Sequence, residues 1–184
     1  MKIANSFKAL TGVALISGLA AMPAIAAVQG SLDSTSTGSS DISLTVNDSV
    51  KITGLDDVTF PAYGASDTGA INQGDAFCVY RNGADGYNIT ASNPNGAEFS
   101  IVSAITGDTI QYSLALDESA DASAASVITY NQPVAFKSGS DEVDCGDETN
   151  GVNTAFDIRI GEQEIRDAST GTYTGTLQLL VEPI

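Results

Sequence analysis

The C-terminal stretch TGTYTGTLQLLVEPI alternates between two sets of positions, and this period of two constrains the fold more than any other feature. Tyr173, Gly175, Leu177, Leu179 and Val181 fall at every second position, with Thr174, Thr176 and Gln178 filling gaps between them. Successive side chains of a β-strand point to opposite faces, so the spacing predicts a strand with one face on a core. Chain ends are usually frayed and polar, so an ordered strand here is expected to have a partner beside it.

The same alternation recurs in several other short stretches. In NTAFDIRI, Phe156, Ile158 and Ile160 share one face, and Tyr112 and Leu114 begin a similar run. Turn signals rich in Gly, Asn and Asp separate these stretches, and no window has a convincing apolar stripe of period 3.6. Short strands at regular spacing predict an all-β antiparallel sandwich.

The beginning of the chain has the organisation of a secretory signal peptide. Lys2 and Lys8 supply positive charge, Leu10–Ala21 is an apolar run, and small residues stand at Ala24 and Ala26. The run is too short for a permanent membrane anchor, although an uncleaved anchor is the alternative interpretation. We therefore expect export, and no insertion of the product into the membrane.

The residues after the predicted cleavage site form a polar leader followed by an alternating segment. Ala27–Ser40 is rich in Ser, Thr and Gly and predicts a linker. In DISLTVNDSVKI, the apolar residues then fall on one face of an extended segment. A flexible leader before such a segment is typical of a strand meant for the sheet edge of another subunit. The even-numbered apolar residues are Ile42, Leu44, Val46, Val50 and Ile52. The predicted organisation is a signal peptide at 1–26, an N-terminal arm with linker and donor strand at 27–47, and a β-sandwich domain at 48–184.

Composition excludes several classes of function. The chain has 7 Lys and Arg against 23 Asp and Glu, a net charge of −16, which argues against binding to nucleic acid or anionic lipid. It has no His, which rules out Ser–His–Asp and Cys–His catalysis and the commonest zinc ligand. It has no phosphate-binding glycine motif, and no Trp to line a sugar cleft. We expect neither enzymatic activity nor a cofactor.

Two cysteines, Cys78 and Cys145, lie in the exported part of the chain. Export in bacteria leads to an oxidising compartment, so a single disulfide is predicted. A free reactive thiol pair is the alternative, but neither a CxxC spacing nor a basic neighbourhood supports it.

An acidic stretch, SGSDEVDCGDETNG, surrounds Cys145. Oxygen-rich loops can hold Ca²⁺, but the spacing does not match an EF-hand. The alternative is a solvated acidic loop held by the disulfide. The weak calcium candidates are Asp141, Glu142, Asp144, Asp147 and Glu148.

These features together resemble a pilin of the chaperone–usher type. GTYTGTLQLLVEPI resembles the final strand of archaic and alternate chaperone–usher subunits and of spore-coat-U-like domains. FCVYRNGADGYNITA is similar to the cysteine-containing strand and hairpin of the same group. The resemblance implies an immunoglobulin-like sandwich that lacks its last strand. A periplasmic chaperone would first fill the gap, and at an outer-membrane usher the arm of the next subunit would replace it.

The resemblance also implies roles for individual residues. Ile42, Leu44, Val46 and Val50 would be donor residues, and Tyr173, Gly175, Leu177, Leu179 and Val181 would form the strand that lines the acceptor groove. The function expected is that of a structural shaft subunit of a surface fimbria, a homopolymer serving adhesion or biofilm formation. The alternative is a secreted monomer with a complete sandwich that binds a ligand or calcium.

Overall fold

The computed structural model describes residues 27–83, 86–121, 125–137, 139–146 and 148–184. The predicted signal peptide lies outside these residues. The chain divides into two units, with the boundary between Thr45 and Val46. In the first unit, Val28 and Ser39 form an isolated antiparallel bridge through two hydrogen bonds of 2.9 Å, and the residues around them are exposed.

The second unit, Val46–Ile184, which we call the body, consists almost entirely of β-strands. In its described residues the strands are β1 (Val50–Thr53), β2 (Ile71–Arg81), β3 (Tyr87–Ser92), β4 (Ser100–Ser103), β5 (Thr109–Gln111), β6 (Ser113–Asp117), β7 (Ser126–Val127), β8 (Pro133–Phe136), β9 (Thr154–Ile160), β10 (Tyr173–Thr174) and β11 (Gln178–Pro183). A 3₁₀ turn at Thr149–Gly151 and one short helix, α1 (Glu162–Asp167), complete the described elements.

The strands form three antiparallel sheets. The largest has the order β1-β2-β9-β6-β7, and the others have the orders β11-β3-β8 and β10-β4-β5. One core lies between the five-stranded sheet and the β11-β3-β8 sheet, because both contribute buried side chains to the same cluster. That cluster contains Phe77, Val79, Leu114, Leu116, Phe156 and Ile158 from the first sheet and Tyr87, Ile89, Ala91 and Phe136 from the second, with Phe99. The predicted all-β antiparallel sandwich is confirmed.

The helix α1 holds the long connection between β1 and β2, and it was not predicted. Its Glu162 carboxylate accepts hydrogen bonds of 2.8 Å from the backbone N–H of Gly69 and from Nε of Arg166. The hydrogen bond from Arg166 is the main cause that lowers the pKa of Glu162. A helix of six residues is too short to show an apolar stripe, so periodicity could not reveal it.

The burial of Tyr87 predicts that the folded protein loses stability in alkali. Its ring is fully buried and its hydroxyl donates a 2.9 Å hydrogen bond to Oγ1 of Thr154, which itself donates to Asn153. Burial raises the pKa of Tyr87 to about 12, against about 10 in an unfolded chain. The unfolded state therefore loses its proton first. Stability should be complete below pH 10 and fall by about 2 kcal/mol between pH 10 and pH 12.

Urea unfolding at several pH values measures this loss. The control is Tyr87→Phe, which keeps the ring but has no proton to lose; its stability should decline less over the same window. Burial also raises the pKa of Tyr112, so some decline is expected to remain. Equal slopes for wild type and variant would contradict the assignment to Tyr87.

Candidate functional site

The last strand of the body, β11, has one face on the core and one edge without a strand. Leu179 and Val181 are half-buried and pack against the core cluster, whereas Gln178 and Glu182 are exposed. The alternation follows from the period of two in the sequence. Among the described residues, β3 alone pairs with β11, in a register that sets Leu179 opposite Ala91.

The inward residues of β11 are less buried than those of β3, which has a strand on each side. β3 has β11 on one side and β8 on the other, and its inward residues Tyr87, Ile89 and Ala91 are all 0% exposed. The inward residues of β11 remain half-buried although they pack against the same core. An edge strand also leaves a row of backbone N–H and C=O groups without sheet partners. The core is therefore open along this edge.

The other border of the opening is β1. Strand β1 pairs with β2 alone among the described strands, and Ile52 is half-buried against the core. The start of β1 and the end of β11 lie at the same end of the sandwich, because Val50 pairs with Arg81 and Pro183 pairs with Tyr87, at the two ends of one turn. β1 and β11 therefore run in opposite directions. We call the space between their edges the groove.

The groove is narrow in this structure. Cα atoms of β1 and β11 come within 8 Å of each other, and in the described residues no backbone hydrogen bond joins the two strands. Two strands that flank a third are separated by about 9.6 Å, twice the spacing of neighbouring strands. The edges are thus too close for a strand between them and would have to move apart by at least about 1.6 Å to admit one.

One end of the groove is closed by Arg81. Its guanidinium donates a 3.1 Å hydrogen bond from Nη2 to the main-chain oxygen of Ile184, and Nη2 lies 3.7 Å from a carboxylate oxygen of Asp48. The neighbouring Asn82 donates from its amide to the carbonyl of Asn47 at 2.7 Å and accepts from the N–H of Ser49. Through these contacts, Arg81 and Asn82 hold residues 47–49 in place, where the arm joins the body.

The burial of Arg81 was not predicted from the sequence. The alternation in β2 could have indicated this burial. Arg81 has the same parity as the buried Phe77 and Val79 and must point the same way. A charged residue at a position that alternation assigns to the core is an unusual feature of a sequence.

The predicted C-terminal strand is interrupted, which corrects the assignment of two residues. Tyr173 belongs to β10, which pairs with β4 in a different sheet, and Gly175 lies in the connection to β11. A Cβ at Gly175 would lie 2.9 Å from the carbonyl oxygen of Ser100, so the chain crosses close to β4 there. The hydroxyl of Tyr173 donates to the carbonyl of Ser169 at 2.8 Å, four residues upstream, as in a tyrosine corner. Leu177, Leu179 and Val181 pack against the core cluster, and their role in an acceptor groove stays a prediction.

The predicted donor residues also separate into two groups. Val50 is the first residue of β1 and pairs with Arg81, so it belongs to the sheet of the body and is not available for donation. Ile42, Leu44 and Val46 lie outside any strand and are 95%, 86% and 73% exposed. Apolar side chains at this exposure, three in alternation, are the arm's main chemical feature.

The predicted disulfide is present. The sulfur atoms of Cys78 and Cys145 are 2.11 Å apart, and both residues are buried. Cys78 lies in β2, directly opposite Thr53 at the end of β1. The bond therefore ties the acidic loop around Cys145 to the largest sheet.

The acidic loop contains no ready-made metal site in its described part, which omits Asp147. Across all described residues, no group of three or more His, Cys, Asp or Glu side chains is arranged to hold a metal ion. The loop is stabilised by local hydrogen bonds, such as those from the N–H of Cys145 to the carbonyl of Glu142 and from the N–H of Glu148 to the carbonyl of Cys145. Within the part of the chain that the structure describes, no helix has the length and apolarity needed to cross a membrane.

Comparison with known proteins identifies a solved structure with a similar fold. No family model matches the chain, and no curated protein matches it. Among solved structures, a chain from a chaperone–tip adhesin complex, described as vital for synergistic activation of CFA/I fimbriae biogenesis, is similar with a TM-score of 0.50 and 12% sequence identity. The similarity covers 73% of the present chain and 41% of the other chain. At this identity the likeness concerns the fold.

Proposed function

We propose that the protein is a structural subunit of a surface fimbria and that its copies polymerise by donor-strand exchange. The observation that carries the proposal is the open edge of β11, where Leu179 and Val181 are only half-buried against the core. The same chain carries an arm whose Ile42, Leu44 and Val46 are exposed. An open sheet edge and an unpaired segment with alternating apolar residues are complementary, and strand addition would join them.

The spacing of the two sets of side chains fits this pairing. In an antiparallel pair, residues that lie directly opposite each other have their side chains on the same face. Ile42, Leu44 and Val46 have the spacing of two that Leu177, Leu179 and Val181 have, so all three can face the core at once. Each of these aliphatic side chains gains about 1.5–3 kcal/mol on complete burial. An arm from a second copy would supply both the side chains and the missing backbone hydrogen bonds.

An open edge also explains the need for partners before assembly. A long unpaired edge strand beside exposed apolar side chains is a site of aggregation. We infer that a periplasmic chaperone covers the groove after export and that an outer-membrane usher exchanges it for the arm of the next subunit. The fold similarity to a chain of a chaperone–tip adhesin complex from fimbriae supports this setting. The finished polymer would be located on the cell surface and serve adhesion or biofilm formation.

Deletion of the arm tests the proposal. We expect a variant lacking Ala27–Val46, expressed behind its signal peptide with the chaperone and usher, to remain soluble in complex with the chaperone. It should be missing from the heat-resistant ladders that polymers give on denaturing gels, because no strand is left to donate. The control is a deletion of residues 29–38, which shortens the leader and keeps the donor residues. This variant should still polymerise.

Two outcomes would change the conclusion. If the variant without the arm still forms heat-resistant ladders, the donor assignment is wrong. If the full chain, expressed without any partner, is a stable monomer that unfolds cooperatively, the monomeric ligand-binding sandwich becomes the better interpretation.

A further inference from the structure

Asn82 holds the residues that precede β1 through both its main chain and its side chain. Its backbone N–H donates a 3.2 Å hydrogen bond to the carbonyl oxygen of Ser49, which extends the pairing of β1 with β2 by one residue pair. Its half-buried side-chain amide accepts from the N–H of Ser49 and donates to the carbonyl oxygen of Asn47 at 2.7 Å. We call Asn82 and the backbone of residues 47–49 the clamp.

The clamp keeps residues 47–49 extended. In a β-strand, the carbonyl of one residue and the N–H of the residue two positions later point to the same side of the chain. The amide of Asn82 offers one acceptor and one donor to these two groups, as the peptide group of a neighbouring strand does. No turn or bend interrupts the chain between Asn47 and Val50. Residues 47–49 therefore continue the course of β1.

The arm can enter the groove of its own body only if the chain reverses direction at these same residues. Val46, the last apolar residue of the arm, directly precedes Asn47. An arm in its own groove would run toward the start of β1 and then turn back into β1, so residues 47–49 would be the loop of a hairpin. Loops of this length need turn conformations instead of extended backbone. The clamp and this loop exclude each other.

The attachment of the arm to the body would otherwise favour closure within one copy. A strand that is tethered by a short linker reaches a neighbouring site at an effective concentration of about millimolar. A second copy offers its arm at a far lower concentration in dilute solution. The advantage of the tether disappears when the linker is held in a conformation that cannot bring the strand to the site.

We infer that Asn82 is a positioning residue that keeps the arm out of the groove of its own body and so reserves Ile42, Leu44 and Val46 for a second copy. The inference rests on the proposed function and adds to it a reason why strands are exchanged between copies. It assigns this role to two hydrogen bonds of one side chain, those to Asn47 and Ser49.

Release of the clamp tests the inference. The protein is purified after export, unfolded in urea with its disulfide intact and diluted to nanomolar concentration, where copies rarely meet. A brief pulse of proteinase K cuts free arms, and mass spectrometry gives the fraction of chains with an intact arm. With Asn82→Ala, the ratio of protected to free arms should rise about tenfold, because two hydrogen bonds no longer oppose the turn. Protection that is unchanged on further dilution identifies closure within one copy.

Two further variants separate the clamp from general damage to the fold. Asn82→Asp keeps the acceptor for Ser49 but places a second oxygen against the carbonyl of Asn47, so the ratio should also rise. Asn95→Ala removes an exposed asparagine that likewise precedes a glycine and lies outside the clamp, so the ratio should not change. A disrupted body would make the arm easier to cut, which is the opposite of the expected result.

Polymer formation gives a second readout. With the chaperone and usher present, Asn82→Ala should give weaker heat-resistant ladders than wild type for the same amount of chaperone-bound chain, and Asn95→Ala should not. Equal ratios of protected arms in wild type and Asn82→Ala would overturn the inference and leave donor-strand exchange standing. Arms already protected in most wild-type chains would overturn it as well. If the chains do not refold, ladders of equal strength overturn it, and absence of ladders from wild type overturns the proposed function too.

Discussion

If copies of the chain polymerise as proposed, replacing Leu44 with aspartate is expected to abolish polymer formation while leaving the chain folded. Leu44 is the central apolar residue of the arm and is 86% exposed, so the body loses no packing. In the groove, the variant forfeits about 2 kcal/mol of apolar burial. It would also place a carboxylate in an apolar site at a further cost of several kcal/mol. Together these terms would weaken the proposed contact between copies by at least about a thousandfold.

The matched control for Leu44→Asp is Ser43→Asp, which introduces the same charge one residue away. Ser43 has the opposite parity and would face solvent from the added strand. Heat-resistant ladders should disappear with Leu44→Asp and persist with Ser43→Asp, and both variants should melt within a few degrees of wild type. Loss of polymers in both variants would show that charge anywhere in the arm interferes, and the face assignment would be wrong.

Removal of the disulfide is expected to lower the free energy of unfolding by about 4 kcal/mol. The bond joins residues separated by 67 positions, and closing a loop of that length restricts the unfolded chain strongly. Since most domains are stable by about 5–15 kcal/mol, the loss removes a large share of stability. The measurement is urea unfolding of the Cys78→Ala, Cys145→Ala double variant against the oxidised wild type.

The reduced wild-type protein separates the cross-link from the side chains. Both cysteines are buried, so alanine also leaves two small gaps in the packing. Reduction breaks the bond and keeps the sulfur atoms. We expect reduced protein and double variant to have similar stability. A loss below about 1 kcal/mol on reduction would mean that the unfolded chain is already restricted in this region.

Strands with neighbours on both sides could be predicted from the sequence. In β9, Phe156, Ile158 and Ile160 are buried as their spacing required. Alternation reports which face is buried, and for a strand inside a sheet this is nearly all that determines its place. The disulfide could also be predicted from the sequence, because the chain has two cysteines and its expected export leads to an oxidising compartment.

The C-terminal alternation predicted one continuous strand where the structure has two, and the reason is physical. Period two states that the chain is extended, but not which sheet it joins. Residues 173–174 pair with β4 and residues 178–183 with β3, and the spacing is the same across the change. The change occurs at Gly175, where the absence of a side chain permits close passage of β4. Similarly, Val50 continues the alternation of the arm although β1 already belongs to the body.

The disulfide also limits how far the chain can be drawn out. If tension is applied between the arm and the last strand, Cys78 and Cys145 remain joined however much of the sandwich opens. The 67 residue steps from one cysteine to the other are withheld from extension, which at about 3.5 Å per step is about 230 Å of contour length. A stretched chain can therefore lengthen only through the segments before Cys78 and after Cys145, and β3 to β8 stay enclosed in the covalent loop.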